Sequence, residues 1–248
     1  MEIGKNDIVS SRKEIVVPMS ANKRIPTGVP GLDELIQGGF QPGDFALLVG
    51  GIGTGKTIFS SQFAYYAMKT LNEPVVFATF EEDVDSLRKN MSKFGMDLAS
   101  MEKEKKLKLI DLEALEGRGM GSNIDTILAA LDEMKAKRLV VDSLTAFLSG
   151  AGEKFDYNFL MHLIYKTLKR SGVTTLMTVS RFQGQNDFSS SLEEFVADGV
   201  FLVENFLADS MELRTRFMVR KMRGTDHSRK YHMVIFGPKG LEILPYTL

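Results

Sequence analysis

Gly50-Gly51-Ile52-Gly53-Thr54-Gly55-Lys56-Thr57 satisfies G-x-x-x-x-G-K-[ST], the spacing of a loop that wraps its backbone around phosphate groups. Ahead of it, Phe45 to Val49 is a short unbroken apolar run suited to a strand buried on both faces. Behind it, Phe59, Phe63 and Tyr66 or Ala67 recur at helical spacing, so the loop is expected to end at a helix N-terminus whose free amides face an anion. Gly51, Gly53 and Gly55 let the backbone curl closely. Lys56 brings a positive charge to the β and γ phosphates, and the Thr57 hydroxyl suits Mg²⁺. Nucleotide contacts are therefore expected from Gly50, Gly51, Ile52, Gly53, Thr54, Gly55, Lys56, Thr57 and Ile58, with a nucleotide and Mg²⁺ as the ligands. The competing reading of such a stretch is a glycine-rich strand-to-helix turn that binds nothing.

The chain around this loop has 248 residues, 44% of them apolar, enough for one large domain or two small ones with a sizeable core. A net charge of -1 gives no global field that would recruit nucleic acid or an anionic membrane. The absence of cysteine excludes disulfides, thiolate metal sites and a cysteine nucleophile, and fits a reducing cytoplasm. No apolar run approaches the roughly 18 residues of a membrane span, and no signal-peptide centre follows Met1. The chain reads as soluble and cytoplasmic, with a polar arm over residues 1–23 and one domain over 24–248.

Apolar runs alternating with helical patterns predict an α/β fold with a central, mostly parallel sheet flanked by helices. Val75 to Phe80 is a second strand that ends in Glu81-Glu82. Ligands of open α/β sheets sit beyond the carboxyl ends of the strands, so at least one of these carboxylates should face the phosphates and orient or deprotonate water. The bland alternative makes both the solvated first turn of the next helix. A third strand runs from Leu107 to Leu112, Gly117 to Gly121 reads as a flexible turn, and a helix is expected from about Asn123 to Lys137. Leu139 to Ser143 is an apolar strand ending at Asp142, placed to hold Mg²⁺ opposite the loop together with Thr57; otherwise Asp142 is a helix cap.

Thr174 to Val179 ends at Ser180-Arg181, where Arg181 reads equally as a γ-phosphate sensor or a surface ion pair. The following loop, Phe182 to Ser190, holds no lysine or arginine, which argues against a nucleic-acid groove, and Ser191 with Glu194 spells a capping box. From Gly199 onward the period changes to two, predicting antiparallel strands that finish the sheet. In the second of them Phe217, Val219, Lys221 and Arg223 should share one face and put two cations at a projecting end. Such cations serve a γ-phosphate only across an interface; the alternative is solvated charge. His162, His227 and His232 show no metal-ligand spacing and read as packing or surface residues.

Pro26-Thr27-Gly28, Gly31-Leu32-Asp33, the loop from Gly50 to Thr57, Thr79-Phe80-Glu81-Glu82, Val141-Asp142-Ser143, Gly172-Val173-Thr174-Thr175 and Lys221-Met222-Arg223-Gly224-Thr225 together resemble the KaiC-like branch of the RecA-type ATPases. The likeness spans about Arg24 to Leu248. It implies a RecA-like P-loop fold and a homohexameric ring with ATP between subunits. It also implies Glu81 and Glu82 as catalytic carboxylates, Lys221 and Arg223 reaching the neighbour's phosphates, and regulation of a protein partner not identifiable from the sequence. A DNA-acting recombinase or translocase and a nucleotide-gated scaffold or autokinase are the other readings. The resemblance also marks two departures: a single phosphate loop where the clock protein has two modules, and Ser180 where its relative carries a glutamate.

Overall fold

The computed structural model describes residues 23–80, 82–112, 119–149, 157–181, 192–208 and 211–244. The expected arm up to residue 22, Glu81, Gly117-Arg118, the loop from Phe182 to Ser190 and the Ser191 cap lie outside the described residues. The elements follow as α1 (Leu32–Leu35), β1 (Phe45–Gly50), α2 (Lys56–Thr70), β2 (Val75–Thr79), α3 (Val84–Ser92), α4 (Leu98–Lys103) and β3 (Leu107–Asp111). Then come α5 (Gly119–Met134), β4 (Arg138–Asp142), α6 (Leu144–Ser149), α7 (Tyr157–Ser171), β5 (Thr174–Ser180) and α8 (Leu192–Val196). β6 (Gly199–Leu207), β7 (Leu213–Met222), β8 (His232–Gly237) and β9 (Gly240–Leu244) complete the chain.

One nine-stranded sheet has the order β3-β2-β4-β5-β1-β6-β7-β8-β9. Its first six members are parallel and the last three antiparallel. Strand alternation splits β1 between two cores: Ala46 and Leu48 join Phe59, Phe63 and Phe201 under α2, while Phe45, Leu47 and Val49 join Ile127, Ile164 and Met177 under α5 and α7. Both faces of β1 are thus covered, which is why its run is continuously apolar. The mostly parallel RecA-type sheet with flanking helices and antiparallel closing strands is the predicted architecture.

Several details correct the sequence reading. β6 is not antiparallel to the sheet: it pairs parallel with β1, Gly50 opposite Val203, and only its far edge turns antiparallel against β7. Helix α5 starts at Gly119, inside the stretch expected to be a turn, and α4 and α6 are short helices that polar or mixed composition concealed. Leu98 and Met101 supply the buried contacts of α4. A bulge between Val200 and Phe201 shifts the β7 register, so that Met222, not Lys221, continues the buried face of Phe217 and Val219. Lys221 and Arg223 are thereby turned toward α8, as their contacts show.

The helix that follows the phosphate loop is clasped to the closing hairpin. Gln62 of α2 donates through Nε2 to the Leu241 carbonyl at 3.0 Å and accepts the Leu241 N–H at 2.8 Å. Gly240 permits this approach, since a Cβ there would stand 2.6 Å from the Gln62 amide carbon.

Candidate functional site

The loop between β1 and α2 closes on itself. Thr54 Oγ1 donates to the Gly51 carbonyl at 2.9 Å, and Lys56 Nζ donates to the Gly50 and Gly51 carbonyls at 3.0 and 2.9 Å. Gly53 and Gly55 have φ of 72° and 88°, a region that favours glycine. The left-handed Gly55 is the N-cap of α2, so the first amides of this 15-residue helix have no partner within the helix and face the hollow of the loop. Ile52 is 84% exposed at the crest, and Gly55 is covered by the ring of Phe236 from β8.

Asp142 ends β4, with β5 lying between it and β1. Thr57 Oγ1 donates to Asp142 Oδ2 at 2.7 Å, and Thr178 of β5 donates its hydroxyl to Oδ1. Thr57 and Asp142, both expected at Mg²⁺, are thus neighbours. An alcohol and a carboxylate side by side at a phosphate-binding loop are the hard oxygen donors that Mg²⁺ takes, so this pair fits the ion. Thr178 was not singled out from the sequence. The available signal was a hydroxyl interrupting an apolar strand. Among the described residues no group of three or more acidic or histidine side chains could hold a metal ion.

Glu82 follows β2. Its main chain is fastened by Thr79, whose hydroxyl donates to the Glu82 carbonyl at 2.7 Å, and its Oε1 accepts from Asn90 Nδ2 of α3 at 2.6 Å. Asp83, not Glu82, caps α3, accepting the Asp85 and Ser86 N–H groups. The Ser86 hydroxyl first, and then these backbone bonds, hold the Asp83 carboxyl below its ordinary range. Arg181 pairs with the buried Glu194, which also lies 3.4 Å from Arg220, so its ion pair is a largely buried one and not the surface pair expected.

Lys221 and Arg223 stand together, away from the loop of their own chain. Lys221 Nζ donates to the Glu194 and Phe195 carbonyls at 3.1 and 2.8 Å; Arg223 donates to the Phe195 and Val196 carbonyls at 2.9 and 3.1 Å. These are the last carbonyls of α8, where cations are favoured. Burial, followed by the charge of Arg223, lowers the Lys221 ammonium from its usual value. Gly199 faces Met222 while Val203 faces Gly50, so four steps along β6, about 13 Å, separate the cation pair from the loop level. The two features lie at opposite ends of the strands of one sheet. Lys221, Arg223, Arg220, His227 and Arg229 line an open groove of about 420 Å³. His227 thus belongs with the cations, although its spacing in the chain carried no signal.

Comparison with known proteins agrees with this geometry. Residues 25–247 match the family model described as "ATPase: KaiC". The chain is 36% identical over 235 residues to circadian clock protein KaiC3 of Synechocystis, covering 91% of this chain and 46% of that protein. It is 31% identical to the UPF0273 protein MJ1359 of Methanocaldococcus jannaschii, covering 90% of this chain and 97% of that protein. It therefore spans about half the length of the clock proteins it matches and nearly all of the archaeal relative. The crystal structure of a KaiC-like protein from Pyrococcus horikoshii superposes with a TM-score of 0.81 at 35% identity, covering 90% of this chain and 99% of that one. Phosphate loop, carboxylate-ended strand, RecA-type sheet and matched length converge: the chain belongs to the KaiC family of ATPases.

Proposed function

We propose that the chain is a Mg²⁺-dependent, slow ATPase that assembles into a homohexameric ring, with each ATP held by one subunit and completed by the next, and that its nucleotide state regulates a partner protein. The observation that carries this reading is the separation just described: Lys221 and Arg223 lie at the end of the strands opposite their own phosphate loop. A strand cannot fold back on itself to close that distance, so a triphosphate served by these cations belongs to another copy. The open basic groove around them offers such a triphosphate room and charge.

In this reading the amides of Gly51 to Ile58 and the Lys56 ammonium bind the phosphates, Lys56 exchanging two carbonyl partners for phosphate oxygens. Thr57 and Asp142 would hold Mg²⁺, which supplies charge neutralisation between the β and γ groups. Glu81 or Glu82 accepts the proton of the attacking water as its oxygen bonds to the γ-phosphorus and the bond to the leaving ADP oxygen breaks. Lys221 and Arg223 of the adjoining copy stabilise the charge that spreads over the transferred group. Cations so placed contribute about 10³ to 10⁵ in rate.

The experiment is subunit mixing. Glu81→Gln/Glu82→Gln chains and Arg223→Ala chains should each release little phosphate alone. A 1:1 mixture should recover about a quarter of the wild-type rate, because random assembly sets an intact pocket against an intact cation at one interface in four. No recovery, or full activity in a species that sizes as a monomer with ATP, refutes the reading.

A further inference from the structure

At the cation end of the sheet lies a buried carboxylate that the reaction does not use. Asp198, 6% exposed, immediately precedes β6. Its Oδ2 accepts the N–H of Phe45, the first residue of β1, at 3.0 Å and the Lys169 ammonium at 2.8 Å. Its Oδ1 accepts the Tyr165 hydroxyl at 3.3 Å and lies 3.4 Å from a guanidinium nitrogen of Arg223. The Asp198 carbonyl also takes the Arg223 N–H at 2.8 Å, so one residue grips both the main chain and the side chain of that arginine. Among the described residues Asp198 is the one carboxylate within ion-pair distance of Arg223; its other partners are neutral. The turn is pinned further by Gln41, which donates to the Arg223 carbonyl at 3.2 Å, and by Arg24, which donates to Thr225 at 2.8 Å.

We infer that Asp198 is a positioning residue for Arg223, holding its guanidinium at the base of β1 in the direction of a neighbouring copy's triphosphate. The inference rests on the across-interface reading above. A free arginine side chain samples many rotamers and loses that freedom when it is fixed. A charged anchor at the root of the guanidinium removes part of that freedom before the neighbour arrives, and misplacement by about 1 Å can cost 10²-fold in rate.

Asp198→Asn isolates this role. The amide oxygen can still serve Phe45 and Lys169, but the NH₂ group then opposes Arg223, donor against donor. The expected result is a kcat about 10-fold to 100-fold lower with an unchanged KM for ATP, because the chain's own pocket is intact. The mixing class decides between roles. Asp198→Asn chains should regain activity with Glu81→Gln/Glu82→Gln chains and not with Arg223→Ala chains. Recovery with Arg223→Ala chains instead, failure in both mixtures, or wild-type kcat overturns the inference. The mixture of Arg223→Ala with the glutamate variant is the control: if that pair does not recover, the across-interface reading has failed. Should Asp198→Asn not fold, Tyr165→Phe, which removes the hydroxyl shared by Asp198 and Arg223, is read in the same mixtures with the same two outcomes.

Discussion

Gly55→Ala tests whether the left-handed turn at the head of α2 shapes the phosphate site. The residue has φ 88° and ψ 19°, and a side chain forced into that region costs about 1 to 2 kcal/mol. The new Cβ would also stand 2.6 and 2.9 Å from two carbons of the Phe236 ring and 3.3 Å from Leu241. That ring is 43% exposed and can swing outward, forfeiting its contact with the loop at a further cost of about 1 kcal/mol. The sum is about 2 to 3 kcal/mol, or a melting temperature lower by about 4 to 12 °C in a domain of this size. Because the same turn aims the first amides of α2, ATP affinity should fall by at least about tenfold. Thermal unfolding followed by circular dichroism and titration with a fluorescent ATP analogue read the two effects separately. The companion Gly55→Ala/Phe236→Ala should recover the ring clash, about 1 kcal/mol relative to additivity, and none of the backbone cost. A Gly55→Ala protein that melts within about 1 °C of wild type and binds nucleotide normally would refute the reasoning.

Three other perturbations follow from the same geometry. Arg138 is fully buried, pairs with Glu73 at 2.9 Å and stacks over Phe63, yet its Nη2 has no hydrogen-bond partner among the described residues. Glu73→Ala should therefore cost about 2 to 3 kcal/mol in urea unfolding and Arg138→Met less; the reverse order would contradict the argument. Burial first, with the nearby charge of Asp198 also raising it, pushes the Asp44 carboxyl from 3.8 up to about 6. The folded state then holds the proton more tightly than the unfolded one. Asp44's contribution is full below about pH 4 and is lost as pH rises through about 6, a change on the order of 1 to 2 kcal/mol once solvent screening is allowed for. Wild type should lose stability relative to Asp44→Asn across that window, and a flat difference between pH 4 and 7 would show that the carboxyl is not shifted. Asp142→Ala removes the acceptor shared by Thr57 and Thr178. It should weaken ATP binding about tenfold or more in the presence of Mg²⁺ and little in its absence, as a Mg²⁺ titration would reveal; equal losses under both conditions would argue against a metal role.

What could be read in the chain depended on whether neighbours in sequence are neighbours in space. The phosphate loop, its strand and its helix are contiguous, and the carboxylate ending β4 stands out because Leu139, Val140 and Val141 leave it no polar company. The direction of β6 could not be read that way: period-two alternation is the same for a strand pairing parallel with β1 or antiparallel with β7. The bulge opposite Val200 is equally silent, and it alone reverses the face expected for Lys221 and Arg223. Asp198 and Thr178 take their meaning from partners 25 or more residues away, Arg223 and Asp142 respectively, so neither carries a local signature. Arg138 was hidden because a strand's first position normally looks outward, whereas here Glu73 and Phe63 close over it.

The distance between the glycine loop and the basic turn gives the molecule a front and a back. Contacts that join unlike patches are heterologous, so each copy added presents the same unfilled patch for the next. Such a series closes into a circle if the rotation per step divides a full turn, and otherwise runs on as a helix. The tilt at which one sheet meets another would thus set the copy number, making small changes along the β6–β7 border a means of converting a closed assembly into an open fibre.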